Sequence, residues 1–371
     1  MLSAGLATSA AGSDSPFTLT LARDDRTQQL GAISSVTLSP GLTAHVGSVP
    51  RCDADRAAAG TCQPESRVGQ VVVVAGAGAH PFHLTGTAYL TQGYRGAPFG
   101  LSLVVHTLAG PYDLGTVVIR SAIDVGRDAR VTVRTDPAPR VLDGIPLRLR
   151  TVGLILDRPG FMAPPTSCAP SAVQATVTSV SGATSRVSSR FAMGGCSRLT
   201  FAPKIAIKAQ VSTKAKGAGL HVALRMPTGG ANLKSVSVKL PYAFLIKLKT
   251  LGTRCTPAQA EALTCPAASK VGGARARTPL LDQPLKGPVH LVQAKAKLPK
   301  LFVVLQGAGV TIPLMGDTTF DLDLPHDRRS ILETDRPTCR GESATVTFVA
   351  QNGAKLKRTV PVPPPDHRVR R

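Results

Sequence analysis

The feature that most constrains this chain is a cysteine spacing that occurs twice. Cys52 and Cys62 enclose nine residues, and so do Cys255 and Cys265. A small loop closed twice at one length reads as a disulfide, and loop-closure entropy assigns each such bond about 2–3 kcal/mol. The spacing belongs to a longer duplication. CDADRAAAGTCQPESRVG (52–69) aligns with CTPAQAEALTCPAASKVG (255–272), with eight of 18 positions identical. LTGTAYL (84–90) matches LKGPVHL (285–291), and SVTL (35–38) matches SVKL (237–240). DRPGFMAPPTSC (157–168) matches the shortened DRPTC (335–339), and ATVTSVSGAT (175–184) matches ATVTFVAQNGA (344–354). The order is kept throughout, which predicts two related units, the second contracted between its middle and its DRP motif.

Cys168 and Cys196 are the natural third pair. Cys339 is then unpaired, because the position of its partner falls near His367 in the tail. No CxxC occurs, so neither a zinc ribbon nor a thioredoxin-type motif is indicated. Six cysteines in structural disulfides place the chain in an oxidising compartment, with buried free thiols as the alternative.

Within the loops the residues form a short helix. Thr256 suits the N-cap, Pro257 the first helical position, and Gln259 completes a capping box. Elsewhere the runs are β-branched or alternating and bounded by Gly, Pro, Asp or Ser: QVVVVAGAG, ARVTVRTDP, PLRLRTVGLIL, QATVTSV, KIAIKA and SVSVKLP. With 35 Gly and 30 Pro the chain is rich in turns, and its 43% hydrophobic residues suffice to fill a core. The expected fold is all-β: tandem β-sandwich (Ig-like) units with short helices inside disulfide-closed loops. The units span 20–200 and 205–360, joined around 202–219. A flexible N-terminus (1–19) precedes them and a Pro-rich basic tail (361–371) follows.

The charge is uneven. Residues 1–203 hold no Lys and carry 17 Arg against 12 acidic groups, a net of +5, whereas residues 204–371 carry a net of +17. Period-two spacing puts Lys204 and Lys208 on one face of a strand, and likewise pairs Lys247 with Lys249 and Lys295 with Lys297. These six form a candidate anion face for an acidic glycan or wall phosphate; the alternative is a solvated face that serves solubility.

The strings SRVG, LTGTAYLTQGYRGAPFGLSLVV, AGPYDLGTVVIR, RVTVRTDPAPRVLDGIPLRLR and LDRPGFMAPPTSC resemble those of large secreted β-rich repeat proteins of soil actinobacteria, a family uncharacterised in activity. The resemblance covers about residues 30–355 and is most specific over 60–200. It implies export and a repetitive extracellular or cell-surface β architecture, and it supplies no catalytic residues.

Motifs for other chemistry are few. His80 and His83 are the one close histidine pair, with no acidic residue or Cys beside them in sequence, so no metal site is expected. Asp53 with Asp55, and Asp321 with Asp323, are carboxylate pairs without the further oxygen ligands of a calcium loop. No HExxH, GxSxG, GxGxxG or GxxxxGK[ST] motif occurs in a suitable context, so no catalytic residue and no cofactor are expected. Tyr89, Tyr94, Arg95, Phe99 and Tyr112 form a candidate binding patch for stacking on a ligand; the alternative is a TQGYRG hairpin whose rings pack on the sheet. The chain has no Trp and four Tyr, which argues against a sequence-specific nucleic-acid reader. No run supplies the roughly 20 apolar residues of a transmembrane helix. The opening stretch carries no basic residue before Arg23, so it is a poor signal peptide, and the expectation is either a start further upstream or a fragment of a longer exported protein.

The expected function is a non-enzymatic extracellular or cell-surface structural or adhesion-type β-repeat protein. The alternatives are an anionic-polymer module built on the Lys-rich second unit and a secreted enzyme with a site assembled from distant strands.

Overall fold

A computed structural model describes residues 1–24, 28–212, 217–247, 252–293, 300–307, 310–312, 319–327, 330–334 and 342–363. The chain divides into two compact units. Unit 1 comprises Met1–Leu199 with Pro279–Asp282, and unit 2 comprises Thr200–Thr278 with Gln283–Arg371.

Unit 1 begins with β1 (Leu2–Leu6), β2 (Phe17–Ala22), β3 (Leu30–Thr37) and the short β4 (Thr43–Ala44). Helix α1 (Ala54–Ala59) leads to β5 (Arg67–Ala75), β6 (Phe82–Thr91), β7 (Phe99–Ala109), β8 (Tyr112–Val125) and β9 (Val131–Thr135). The two-residue strands β10 (Val141–Leu142) and β11 (Ile145–Pro146) form a small hairpin. Then come β12 (Leu149–Leu156), β13 (Met162–Ala163), β14 (Ser171–Ser179) and β15 (Thr184–Phe191). Eleven of these strands make one sheet in the order β1-β2-β12-β5-β6-β7-β8-β9-β3-β14-β15. Its end strands meet: the Ala4 amide donates to Ser189 Oγ at 2.9 Å, and that hydroxyl donates back to the Ala4 carbonyl at 3.2 Å. The sheet is therefore barrel-like. Alternation fills its interior, as in β2, where Phe17, Leu19 and Leu21 are buried and the residues between them less so.

Unit 2 holds β16 (Lys204–Ser212), β17 (Gly217–Arg225), β18 (Leu233–Lys239) and β19 (Phe244–Ile246). Helix α2 (Pro257–Ala262) precedes β20 (Lys270–Arg277), β21 (Leu285–Val292), β22 (Lys300–Val303), β23 (Leu305–Gly307) and β24 (Val310–Ile312). The unit ends with β25 (Thr319–Leu324), β26 (Leu332–Thr334), β27 (Glu342–Ala350) and β28 (Lys355–Val362). One sheet runs β19-β26-β17-β25-β20-β21-β23-β24, with β16 added on β17 and β22 on β21. A second, three-stranded sheet runs β18-β27-β28.

Strands make up 56% of the structure and helices 7%, so the fold is all-β. The tandem-sandwich arrangement is not what the pairing gives in unit 1, where one sheet curls until its own edges meet. Period-two patterning sets which face of a strand is buried but not whether the facing layer is a second sheet or the far wall of the same one. The N-terminus also departs from expectation. Residues 2–6 pair with β2, and Leu2 and Ala4 are buried. This segment supplies the strand that closes the sheet.

The three expected disulfides are present: Cys52–Cys62, Cys168–Cys196 and Cys255–Cys265, with Cα separations of 5.5, 5.9 and 5.1 Å. Each Cys-x9-Cys loop contains its helix. Asp53 caps α1 by accepting from the Arg56 amide, and Thr256 with Gln259 forms the full capping box on α2. In both units the first cysteine is stitched to the same place. Cys52 N donates to Leu90 O and Cys255 N to Leu291 O, each at 2.9 Å. Cys52 O and Cys255 O in turn accept from Gln92 and Gln293, also at 2.9 Å.

Candidate anion-binding face

Register in the larger sheet of unit 2 gathers the charged residues on one side. Lys204 stands opposite Arg225, and Lys208 opposite His221. His221 faces Asp323 and Ala223 faces Asp321 on β25. On the next strand Arg275 lies opposite Asp321, then Lys286 opposite Arg275, then Gln306 opposite Lys286. Arg277, two residues from Arg275, shares this side. The opposite side is apolar, with Ile207, Val222, Leu224, Ala274 and Ala276 buried. Alternation thus turns six cations, Lys204, Lys208, Arg225, Arg275, Arg277 and Lys286, away from the core, with the carboxylates Asp321 and Asp323 among them and Glu333 on the same side along β26.

Those carboxylates are partly engaged. Asp323 Oδ1 lies 2.5 Å from His221 Nδ1, and Asp321 Oδ1 lies 3.8 Å from Arg225 Nη1. Lys204, Lys208, Arg277 and Lys286 are exposed, and the Nε of Arg275 is buried without a hydrogen-bond partner. Neighbouring strands lie about 4.8 Å apart, so the cations lie within a Debye length of their neighbours and their fields add.

Of the six lysines expected to form the anion face, Lys204 and Lys208 lie on it. Lys247 lies just past β19, half-buried, with its amide donating to Ile331 O. Lys249, Lys295 and Lys297 fall outside the described residues, as do Cys339, DRPTC and most of the basic tail. Arg225, Arg275, Arg277 and Lys286 were missed. The alternation in HVALR (221–225) and GARAR (273–277) carries the same period-two signal, but a search for lysine pairs passes over arginine.

The aromatic patch of unit 1 is dispersed. Phe99 is 2% exposed in the core, and Tyr89 packs on the cluster of Cys52, Ala57 and Cys62. Tyr112, 68% exposed, sits where β8 begins. Tyr94 and Arg95 do meet, but around a structural carboxylate. Tyr94 Oη donates to Asp136 Oδ2 at 2.6 Å, Arg95 Nη2 lies 3.1 Å from Asp136 Oδ1, and the Arg120 guanidinium stacks 4.2 Å from the Tyr94 ring centroid. The TQGYRG segment is a tight hairpin, with Arg95 and Gly96 at φ 48° and 78°.

Ser269 and His290 form a buried polar pair, 2.8 Å apart. Ser269 Oγ also donates to Pro266 O at 2.7 Å, and its oxygen accepts from His290 Nδ1 in the tautomer that carries the proton there. Burial, with Lys270 adding to it, lowers the pKa of His290 below the ordinary 6.5. Among the described residues no three His, Cys, Asp or Glu side chains converge as metal ligands, and no helix is long and apolar enough to cross a membrane. Asp53 serves as a helix cap.

No protein-family model matches this chain, and no curated protein matches it.

Proposed function

We propose that this chain is a non-enzymatic extracellular binding protein, of structural or adhesion type, in which a disulfide-stapled β scaffold presents a basic sheet face to an anionic polymer of the cell envelope or its surroundings. The observation that carries this reading is the grouping of Lys204, Lys208, Arg225, Arg275, Arg277 and Lys286 on one outward face, with Asp321 and Asp323 between them. Three disulfides support an oxidising location. The duplicated cysteine loops support descent of both units from one ancestor, and only the second has acquired the lysines.

Binding of this kind is driven by release of counterions from the polymer, so affinity falls steeply with salt. The test is retention of the full chain on immobilised heparin at increasing sodium chloride, beside a variant carrying Lys204→Gln, Lys208→Gln, Arg275→Gln, Arg277→Gln and Lys286→Gln. The slope of log affinity against log salt is expected to shrink by about 0.7–0.9 for each cation that neutralises a charge of the polymer in the wild type. Equal slopes for the two proteins would reject the assignment.

A further inference from the structure

The two carboxylates inside the basic face select among anionic polymers, an inference that rests on the binding function proposed above. β25 lies between β17 and β20, so Asp321 has Arg225 on one side and Arg275 on the other, whereas Asp323 stands between His221 and Gly273. Asp323 uses Oδ1 on His221, and its side chain is 66% exposed; that of Asp321 is 28% exposed. A carboxylate here repels any polymer that offers only phosphate or sulfate oxygens. It is also a strong acceptor for a hydroxyl, through a hydrogen bond to a charged group. The face therefore offers cations at its periphery and hydroxyl acceptors at its centre.

Its relief fits the same kind of ligand. The positions between the charged residues are Ala206, Ala223, Gly273 and Pro288, so short side chains form the floor, without a Phe, Tyr or Trp among them, and the His221 ring is held by Asp323. We infer that the ligand class is an acidic polysaccharide. Its carboxylate or sulfate groups lie on Lys204, Lys208, Arg275, Arg277 and Lys286, and its sugar hydroxyls donate to Asp321 and Asp323. His221 acts as a positioning residue that fixes the Asp323 rotamer through Nδ1 and leaves Oδ2 for the ligand.

The full chain is measured against two immobilised polyanions, a polyuronate and inorganic polyphosphate, at equal ionic strength, with single-stranded DNA as a third probe. Wild-type protein is expected to prefer the polyuronate. Asp321→Asn with Asp323→Asn is expected to tighten polyphosphate binding and weaken polyuronate binding, so that the preference falls about tenfold, the change expected when two charge-assisted hydrogen bonds become neutral ones. The exposed single variant Asp323→Asn is expected to move the preference the same way by a smaller factor, which guards against a folding defect in the double variant. An unchanged preference with binding intact would overturn this inference alone. DNA bound as tightly as the polyuronate would also overturn it. Failure of the wild-type chain to hold any of the three polymers would overturn the proposed function and this inference with it.

Discussion

The cysteine loops of the two units share a plan and differ in what they enclose. In each, a capped helix of six residues sits inside a Cys-x9-Cys ring. A serine then turns the chain into a strand: Ser66 Oγ donates to Gln63 O and Ser269 Oγ to Pro266 O, both at 2.7 Å. The register irregularity falls at the same place, between Arg67 and Gly69 in one unit and between Lys270 and Gly272 in the other. Opposite Arg67 stands Tyr89, and opposite Lys270 stands His290. Both loops pack an aromatic ring against their cysteine cluster, Tyr89 in one and Phe302 in the other, but only the second has a buried histidine beside it. The common parts are backbone hydrogen bonds and close approaches that a side chain cannot replace. The variable parts are side chains, and there the units have diverged in charge and in the residue paired with the start of the strand, Tyr89 or His290.

The comparison breaks most severely at the glycines of β6 and β21. A Cβ on Gly86 would stand 2.3 Å from Val104 O, and one on Gly287 1.5 Å from Val304 O. Gly86→Ala and Gly287→Ala should each destabilise their unit by about 3 kcal/mol, because backbone rather than a yielding side chain is in the way. Denaturant titration checks this, with Gly287→Ala expected to be the worse. Removal of a loop disulfide comes next. Cys52→Ser with Cys62→Ser, or Cys255→Ser with Cys265→Ser, should cost about 2–3 kcal/mol, similar in the two units because the rings are equal in length. A loss of stability confined to one pair would show that the loops are not energetically equivalent.

Mild acid should separate the units. The fold favours neutral His290, so its contribution to stability is complete above pH 6.5 and is lost as the pH falls below that value toward the lowered folded-state pKa. Unit 2 is expected to weaken on acidification through this group, and His290→Gln should remove that part of the response; thermal melts at about pH 7.5 and about pH 5, either side of the ordinary histidine range, measure it. The smallest effect lies at the end of the helices. Gly60 occupies the left-handed C-cap of α1 at φ 72°, whereas Leu263 takes that place in α2 at φ 59°. Leu263→Gly should gain up to about 1 kcal/mol by relieving the left-handed strain, whereas Gly60→Ala should lose stability, since its Cβ would lie 2.7 Å from Val118 Cγ2.

Much of this was legible from residue order. Covalent spacing and local capping depend on near neighbours, so the disulfide pairs and the α2 capping box follow from sequence, as does the strand character of segments such as KIAIKA and SVSVKLP. Sheet closure does not. Leu2 and Ala4 alternate like any strand, and nothing local says that β1 will meet β15. The site was half legible for the same reason. Lys204 and Lys208 reveal their face by spacing on one strand, but Arg225, Asp321, Arg275 and Lys286 join them only through cross-strand register, which brings together β17 and β25 across a long stretch of intervening chain. The aromatic residues are dispersed because sequence proximity conceals that Tyr94 lies in the hairpin connection, where it meets Asp136, while Phe99 enters β7 and points into the core.

Lysine footprinting with a polyuronate tests most directly where the polymer sits. The full chain is acetylated with and without the polymer, and the modified lysines are identified by mass spectrometry. Lys204, Lys208 and Lys286 are predicted to become protected, while Lys355 and Lys357, exposed on the three-stranded sheet of the same unit, continue to react. Equal protection at all of these lysines, or protection at Lys355 and Lys357 alone, would contradict a site on the larger sheet.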